Sequence, residues 1–238
     1  MALLTNDQIN ELSHFCFWSD KEIRSDLIFG FIASENDYTS NLTGALRRNI
    51  NSYSRFGLKA TSFVLKPNEE QGTGCDAAIV IRTGNSGKIL LIEGKWPRLS
   101  QATHAWDWKQ TASGMSHFSD QLSRQAGYAN RYAIIEMFYS EHAFGMEPSY
   151  LQSDGSACFW HSDAIAYDQS RPSSPKVWSQ SELIDMLKMG TCTLSHVVEQ
   201  VCICVEGVQL PLPEQLRFNV QDFPLPSNVL VITGNESN

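Results

Sequence analysis

Asp76, Glu93 and Lys95 are the residues of this chain whose types and spacing could do chemistry. Asp76 opens an apolar run over 74–81, Glu93 and Lys95 close a second over 88–95, and Thr-Gly-Asn-Ser-Gly at 83–87 joins the two. Two strand-like runs around a Gly-rich turn predict a hairpin. Strand side chains alternate, so Glu93 and Lys95 share one face with Gly94 turned to the other, and the hairpin returns Asp76 to the same end of the sheet. Carboxylates buried together are costly unless something positive neutralises them, and a divalent cation does so more completely than one ammonium. Oxygen ligands without His or Cys suit a hard ion such as Mg2+ or Mn2+ and leave Lys95 free to meet developing negative charge or to orient a water. This is chemistry for phosphodiester hydrolysis.

An Asp at a strand start followed by acid-x-Lys on the next strand resembles the PD-(D/E)xK nuclease superfamily, the restriction-endonuclease-like fold, with Asp76, Glu93 and Lys95 at the matching positions. The resemblance covers residues 33–140 and agrees with the family's order of elements. Upstream, Tyr38, Leu42, Ala45 and Leu46 have helical spacing, and Glu35 lies one turn before Tyr38 on the same inward face. Family members often carry a Glu on such a helix, which implies Glu35 as a further metal ligand; acids also favour a first helical turn for electrostatic reasons alone. Downstream, Gln121, Gln125 and Tyr128 fall at i, i+4 and i+7 of a helix expected over 118–128. Several branches of the family place a Gln there, which implies that Gln121 touches the attacking water or a phosphate, although Gln on a helix is often simply solvated. A further strand is expected over 132–139. No Pro precedes Asp76; Cys75 stands in its place. Glu-x-Lys is also common as an exposed cross-strand pair, but the Ile-Leu-Leu-Ile run before Glu93 predicts a strand covered on both faces, where such a pair fits poorly.

The elements that must position these residues are embedded in a chain of 238 residues, 42% hydrophobic, long enough for one large domain. The fold expected is α/β (α+β): a restriction-endonuclease-like core with a central mixed sheet flanked by helices. Thr5-x-x-Gln8 and Ser19-x-x-Glu22 each match a capping box and predict two N-terminal helices within 5–30. The segment 141–238 reads as a C-terminal extension: a loop over 145–156, strands at 157–161 and 164–167, a helix capped by Ser179, a buried helix from Leu194, and a last strand at 229–232.

Charge and cysteine content bound the partners. The balance of 18 basic and 26 acidic residues, a net −8, argues against a surface that grips nucleic acid everywhere. Local basic groups remain at Arg47, Arg48, Arg55, Lys59, Lys95, Arg98 and Lys109, so DNA is the partner class expected, with a homodimer or a partner subunit as the route to tighter binding. Tryptophans 96, 106 and 108 lie among bases as in a single-strand stacking surface, or are core anchors. No run of eighteen apolar residues and no signal-peptide pattern occurs, which sets the expectation of a cytoplasmic protein without a membrane partner. The six cysteines show no disulfide-framework spacing. Cys158-x-x-His161 and Cys192-x-x-x-His196 have zinc-compatible spacing but lack the turn glycines of a zinc knuckle.

Overall fold

The computed structural model describes residues 2–65, 73–100, 106–107, 114–213 and 225–235. The chain forms a seven-stranded mixed sheet between two helical layers. Element order is α1 (Asn6–Ile28), α2 (Glu35–Tyr53), β1 (Lys59–Val64), β2 (Ala77–Thr83), β3 (Ser86–Lys95), α3 (His117–Gln125), β4 (Ala133–Phe138), β5 (Ala157–Trp160), α4 (His161–Ser170), α5 (Gln180–Leu187), α6 (Leu194–Cys202), β6 (Leu210–Pro211) and β7 (Asn228–Gly234). The path across the sheet is β1-β7-β2-β3-β4-β5, with β6 paired to the start of β3. The hairpin β2-β3 is antiparallel, and its two outer neighbours, β7 beside β2 and β4 beside β3, run parallel to it.

Strand alternation divides the core. Ala77, Ile79, Ile81, Leu90, Ile92, Ile135, Met137, Leu230 and Ile232 face α1, α2 and α6. The intervening residues, among them Ala78, Val80, Leu91 and Ile134, form the other face, whose end near α3, α4 and α5 is packed by Phe118, Phe138, Phe159 and Trp178. Both faces of β2 and β3 are covered, as their unbroken apolar runs require.

A polar clamp ties α1 to the connection between β4 and β5. The buried Arg24 donates to the carbonyls of Ser140, Gln152, Ser153 and His142 and pairs with Glu147. One turn earlier, Asp20 accepts from the backbone and hydroxyl of Ser156 and from Tyr38 Oη. Burial pushes the Asp20 carboxyl above its usual range despite these donors.

Four sequence expectations change. Ser19 is not a cap: α1 runs unbroken, and Ser19 is buried against α2, where Asn49 donates to its hydroxyl. A Ser-x-x-Glu pattern caps a helix only where the chain turns, and here the apolar face from Ile9 through Leu12, Cys16 and Ile23 continues past it. Residues 164–167 are helical rather than a strand, because Ala164 faces the core one turn into α4 and a four-residue run carries too little periodicity to decide. β1, exposed over much of its length, was not expected at all. The segment after residue 140 is not peripheral to the sheet: β5 forms one edge, and β7 lies between β1 and β2.

Because Leu230 of β7 is fully buried, Leu230→Ala should cost about 2–5 kcal/mol in chemical denaturation. Val64→Ala, on the exposed edge strand, should lie within about 0.5 kcal/mol of wild type. Equal effects would show that β7 is not an interior strand.

Candidate functional site

The hairpin register sets the geometry. Ala77 pairs with Ile92, so Asp76 and Glu93 arrive together at the end of the sheet. The Asp76 amide donates to the Ile92 carbonyl at 2.9 Å, and Asp76 Oδ2 accepts from the Gly94 amide at 2.8 Å. Gly94 permits this approach: a Cβ there would lie 3.1 Å from Asp76 Oδ2 and collide with the Tyr139 hydroxyl. Tyr139 is itself held by Thr39 Oγ1 at 2.6 Å and stacks on Tyr38 with ring centroids 3.7 Å apart.

Glu93 and Lys95 point to the face covered by α3. Lys95 Nζ lies 2.5 Å from Glu93 Oε1, and both side chains are buried. Gln121 on α3 donates from Nε2 to the same oxygen, also at 2.5 Å. The other carboxylate oxygen, Glu93 Oε2, is buried without a hydrogen-bond partner among the described residues. Glu35 lies across the sheet end, at the first residue of α2, and its Oε1 accepts from the Trp96 amide at 2.6 Å. The structure therefore brings Asp76, Glu93, Lys95 and Gln121 together as expected and sets Glu35 beside them from the opposite helical layer. Burial raises the Glu93 carboxyl well above its ordinary range, with Lys95 opposing and Asp76 adding to the rise. Asp76 is raised in the same way, by desolvation first. Desolvation alone would lower Lys95, but Glu93, Glu35 and Asp76 together raise it, so the ammonium stays protonated through neutral pH.

Glu136 and His161 were missed in the sequence. Glu136 stands opposite Glu93 in the parallel β3-β4 register, on the same face and fully buried. His161, the first residue of α4, places Nδ1 3.2 Å from Glu136 Oε1. Glu136 Oε2, His161 Nε2 and the Oε1 atoms of Gln121 and Gln125 are all buried and without partners among the described residues. Gln125 Nε2 donates to the Gly74 carbonyl at 2.9 Å. The signal that could have found Glu136 is the one that marked Glu93: an acid inside an apolar strand, here Ile-Ile-Glu-Met-Phe.

Of the other candidates, Trp106 is a core anchor packed edge-on against Phe118, Phe138 and Trp178. Trp96 is half-buried, donates to Glu141, and carries the Arg98 guanidinium 4.3 Å above its ring. Trp108 and Lys109 lie outside the described residues. All six cysteines are free. Cys158 and Cys192 share a two-way backbone bridge, His161 turns Nδ1 to Glu136, and among the described residues there is no group of three or more His, Cys, Asp or Glu that could hold a metal ion. Cys75 is buried beside Glu93, and desolvation holds its thiol protonated, unsuited to nucleophilic attack. No described helix is long and apolar enough to cross a membrane.

The donor set nevertheless fits a hard ion. Mg2+ commonly takes one or two protein carboxylates and completes its shell with waters and substrate phosphate, so no third acidic ligand is required. Asp76 and Glu93 supply two carboxylates at one sheet end, and Glu93 Oε2 is a buried oxygen without a hydrogen-bond partner among the described residues. Comparison with family models, curated proteins and solved structures gives no match.

Raised carboxyl pKa values have a sign that can be measured. Between the ordinary carboxylate range and the raised values, the folded protein binds protons that the unfolded chain has released, so stability falls as pH rises through that interval. Without metal, the thermal midpoint should be lower at about pH 8 than at about pH 5, and Glu93→Gln should flatten the slope. An unaltered slope in that variant would show that Glu93 carries none of the burial cost.

Proposed function

We propose that the protein is a metal-dependent nuclease that hydrolyses phosphodiester bonds of DNA, in a setting such as restriction or anti-phage defence. The observation that carries this reading is the meeting of Asp76, Glu93 and Lys95 at one end of a buried sheet, with one Glu93 oxygen lacking a hydrogen-bond partner among the described residues. Asp76 and Glu93 are the residues that would hold Mg2+ or Mn2+, with Glu35 assisting from α2. Bound there, such an ion supplies Lewis-acid polarisation of a phosphoryl oxygen and a more acidic water.

The remaining work falls to groups of the chain. Lys95, held close to Glu93, is placed to donate: it orients a water and stabilises the charge that develops on the phosphoryl oxygens of the pentacoordinate phosphorus. Gln121 Nε2 fixes the orientation of Glu93, and its Oε1, without a partner among the described residues, is an acceptor for a water. Gly94, by lacking a side chain, lets Asp76 dock on the β3 backbone.

A second reading has its own observation. Lys95 and Gln121 both occupy Glu93 Oε1, a closed and buried contact of the kind a structural ion pair would make. On that reading the chain is a non-catalytic nuclease-fold subunit serving assembly or binding, in keeping with its net charge of −8.

Cleavage of single- and double-stranded DNA with and without Mg2+ or Mn2+ separates the two. Lys95→Met and Glu93→Gln should each lower the rate about a hundredfold or more while keeping a cooperative fold. Stability lost in proportion to activity would identify a structural pair, and wild-type rates in both variants would place the chemistry elsewhere.

A further inference from the structure

A groove of about 460 Å3 runs between α2 and the edge strand β1. Ser40, Thr43, Gly44 and Arg47 of α2 line one wall, with Thr61 and Ser62 of β1 opposite. The α2 residues fall at i, i+3, i+4 and i+7, a single stripe that extends over about 10 Å of helix. The stripe starts near the candidate site, because Glu35 begins the same helix. The groove also reaches that site through Asn228: it lines the groove, pairs in register with both Val64 and Ala77, and its Nδ2 donates to the Asp76 carbonyl at 3.4 Å.

The walls mix polar and apolar groups. Ala60, Phe63, Val64 and Val229 complete the lining, and among the described residues no carboxylate lines the groove, although the chain has a net charge of −8. Arg47 is exposed and, among the described residues, forms no ion pair. Arg48 is exposed on the next helical position. The hydroxyls of Ser40, Thr61 and Ser62, the Arg47 guanidinium and the outer edge of β1, which pairs with no other described strand, present donors to an anion, whereas the Thr43 hydroxyl donates to the Thr39 and Ser40 carbonyls of its own helix. The volume is on the scale of a small-molecule site, smaller than a duplex segment would fill.

We propose that this groove holds a segment of single-stranded DNA by its phosphate backbone and delivers it to Asp76. The proposal rests on the nuclease reading for the identity of the ligand, but binding in the groove is separable from cleavage.

The test is fluorescence anisotropy with a labelled single-stranded oligodeoxynucleotide in EDTA, across a range of salt, with the matching duplex as comparison. Wild type should bind the single strand more tightly than the duplex, and binding should weaken as salt rises. Arg47→Ala should weaken binding about tenfold and lower the slope of log affinity against log salt by about 0.7. Gly44→Leu should fill the groove and weaken binding similarly; leucine favours the helix, and the first contact of the new side chain is the mobile end of Arg48. Arg131→Ala, an exposed cation beside Tyr132, should bind as wild type does. Thermal midpoints of all variants should match wild type, and a groove variant that fell short would be replaced by Thr61→Glu on the exposed strand. Tighter binding to the duplex, or wild-type affinity in both groove variants, overturns the proposal. Cleavage by wild type with unaffected groove variants would sink the groove alone, whereas groove-dependent binding by a protein that cuts nothing would sink the nuclease reading alone.

Discussion

Glu93 and Glu136 face each other one strand apart, both buried, on a sheet covered by helices. Two carboxylates so placed repel each other and lose hydration, and each needs its own compensation. Lys95 and Gln121 answer Glu93, and His161 answers Glu136. Much of the architecture near the sheet end follows from that requirement: α3 must present Gln121 to β3, α4 must begin at His161, and Asp76 must turn onto the Gly94 amide. The compensation is incomplete, since Glu93 and Glu136 each keep a buried oxygen without a partner among the described residues. Replacing such buried charged groups with apolar ones of similar volume is often neutral or stabilising, so stability alone gives no reason for their presence here.

The scaffold around the acids is stiffened by groups that do no chemistry. Arg24 and Asp20 on α1 pin the β4-β5 connection through backbone carbonyls and Ser156, and Tyr38 joins that network to the ring of Tyr139. Tyr139 in turn packs over Gly94, where Asp76 docks. The chain of contacts runs from a helix at the surface of one layer to the sheet end without a gap, which is how a site on a short hairpin keeps its geometry.

The hairpin was legible from sequence because its signals are local: two apolar runs, a Gly-rich turn and the alternation that sets Glu93 and Lys95 on one face. Helices α2, α5 and α6 were legible for the same reason. What could not be read depends on distant partners. Nothing local tells β7 to lie between β1 and β2, antiparallel to the first and parallel to the second, and β1 itself has an exposed pattern that only its register with β7 makes a strand. Ser19 looks like a cap until α2 is seen packed on it. Glu136 was overlooked although its strand carries the same signature as that of Glu93, because a lone acid declares a site only when its neighbour across the sheet is known.

The central claim, that the acids around Lys95 form a cation site for phosphodiester chemistry, is tested most directly by anomalous diffraction from crystals grown with Mn2+. The account predicts a manganese peak in contact with the carboxylates of both Asp76 and Glu93, lost in Asp76→Asn. Crystals soaked to saturation that show no peak there, with Lys95 still closed on Glu93, would contradict it.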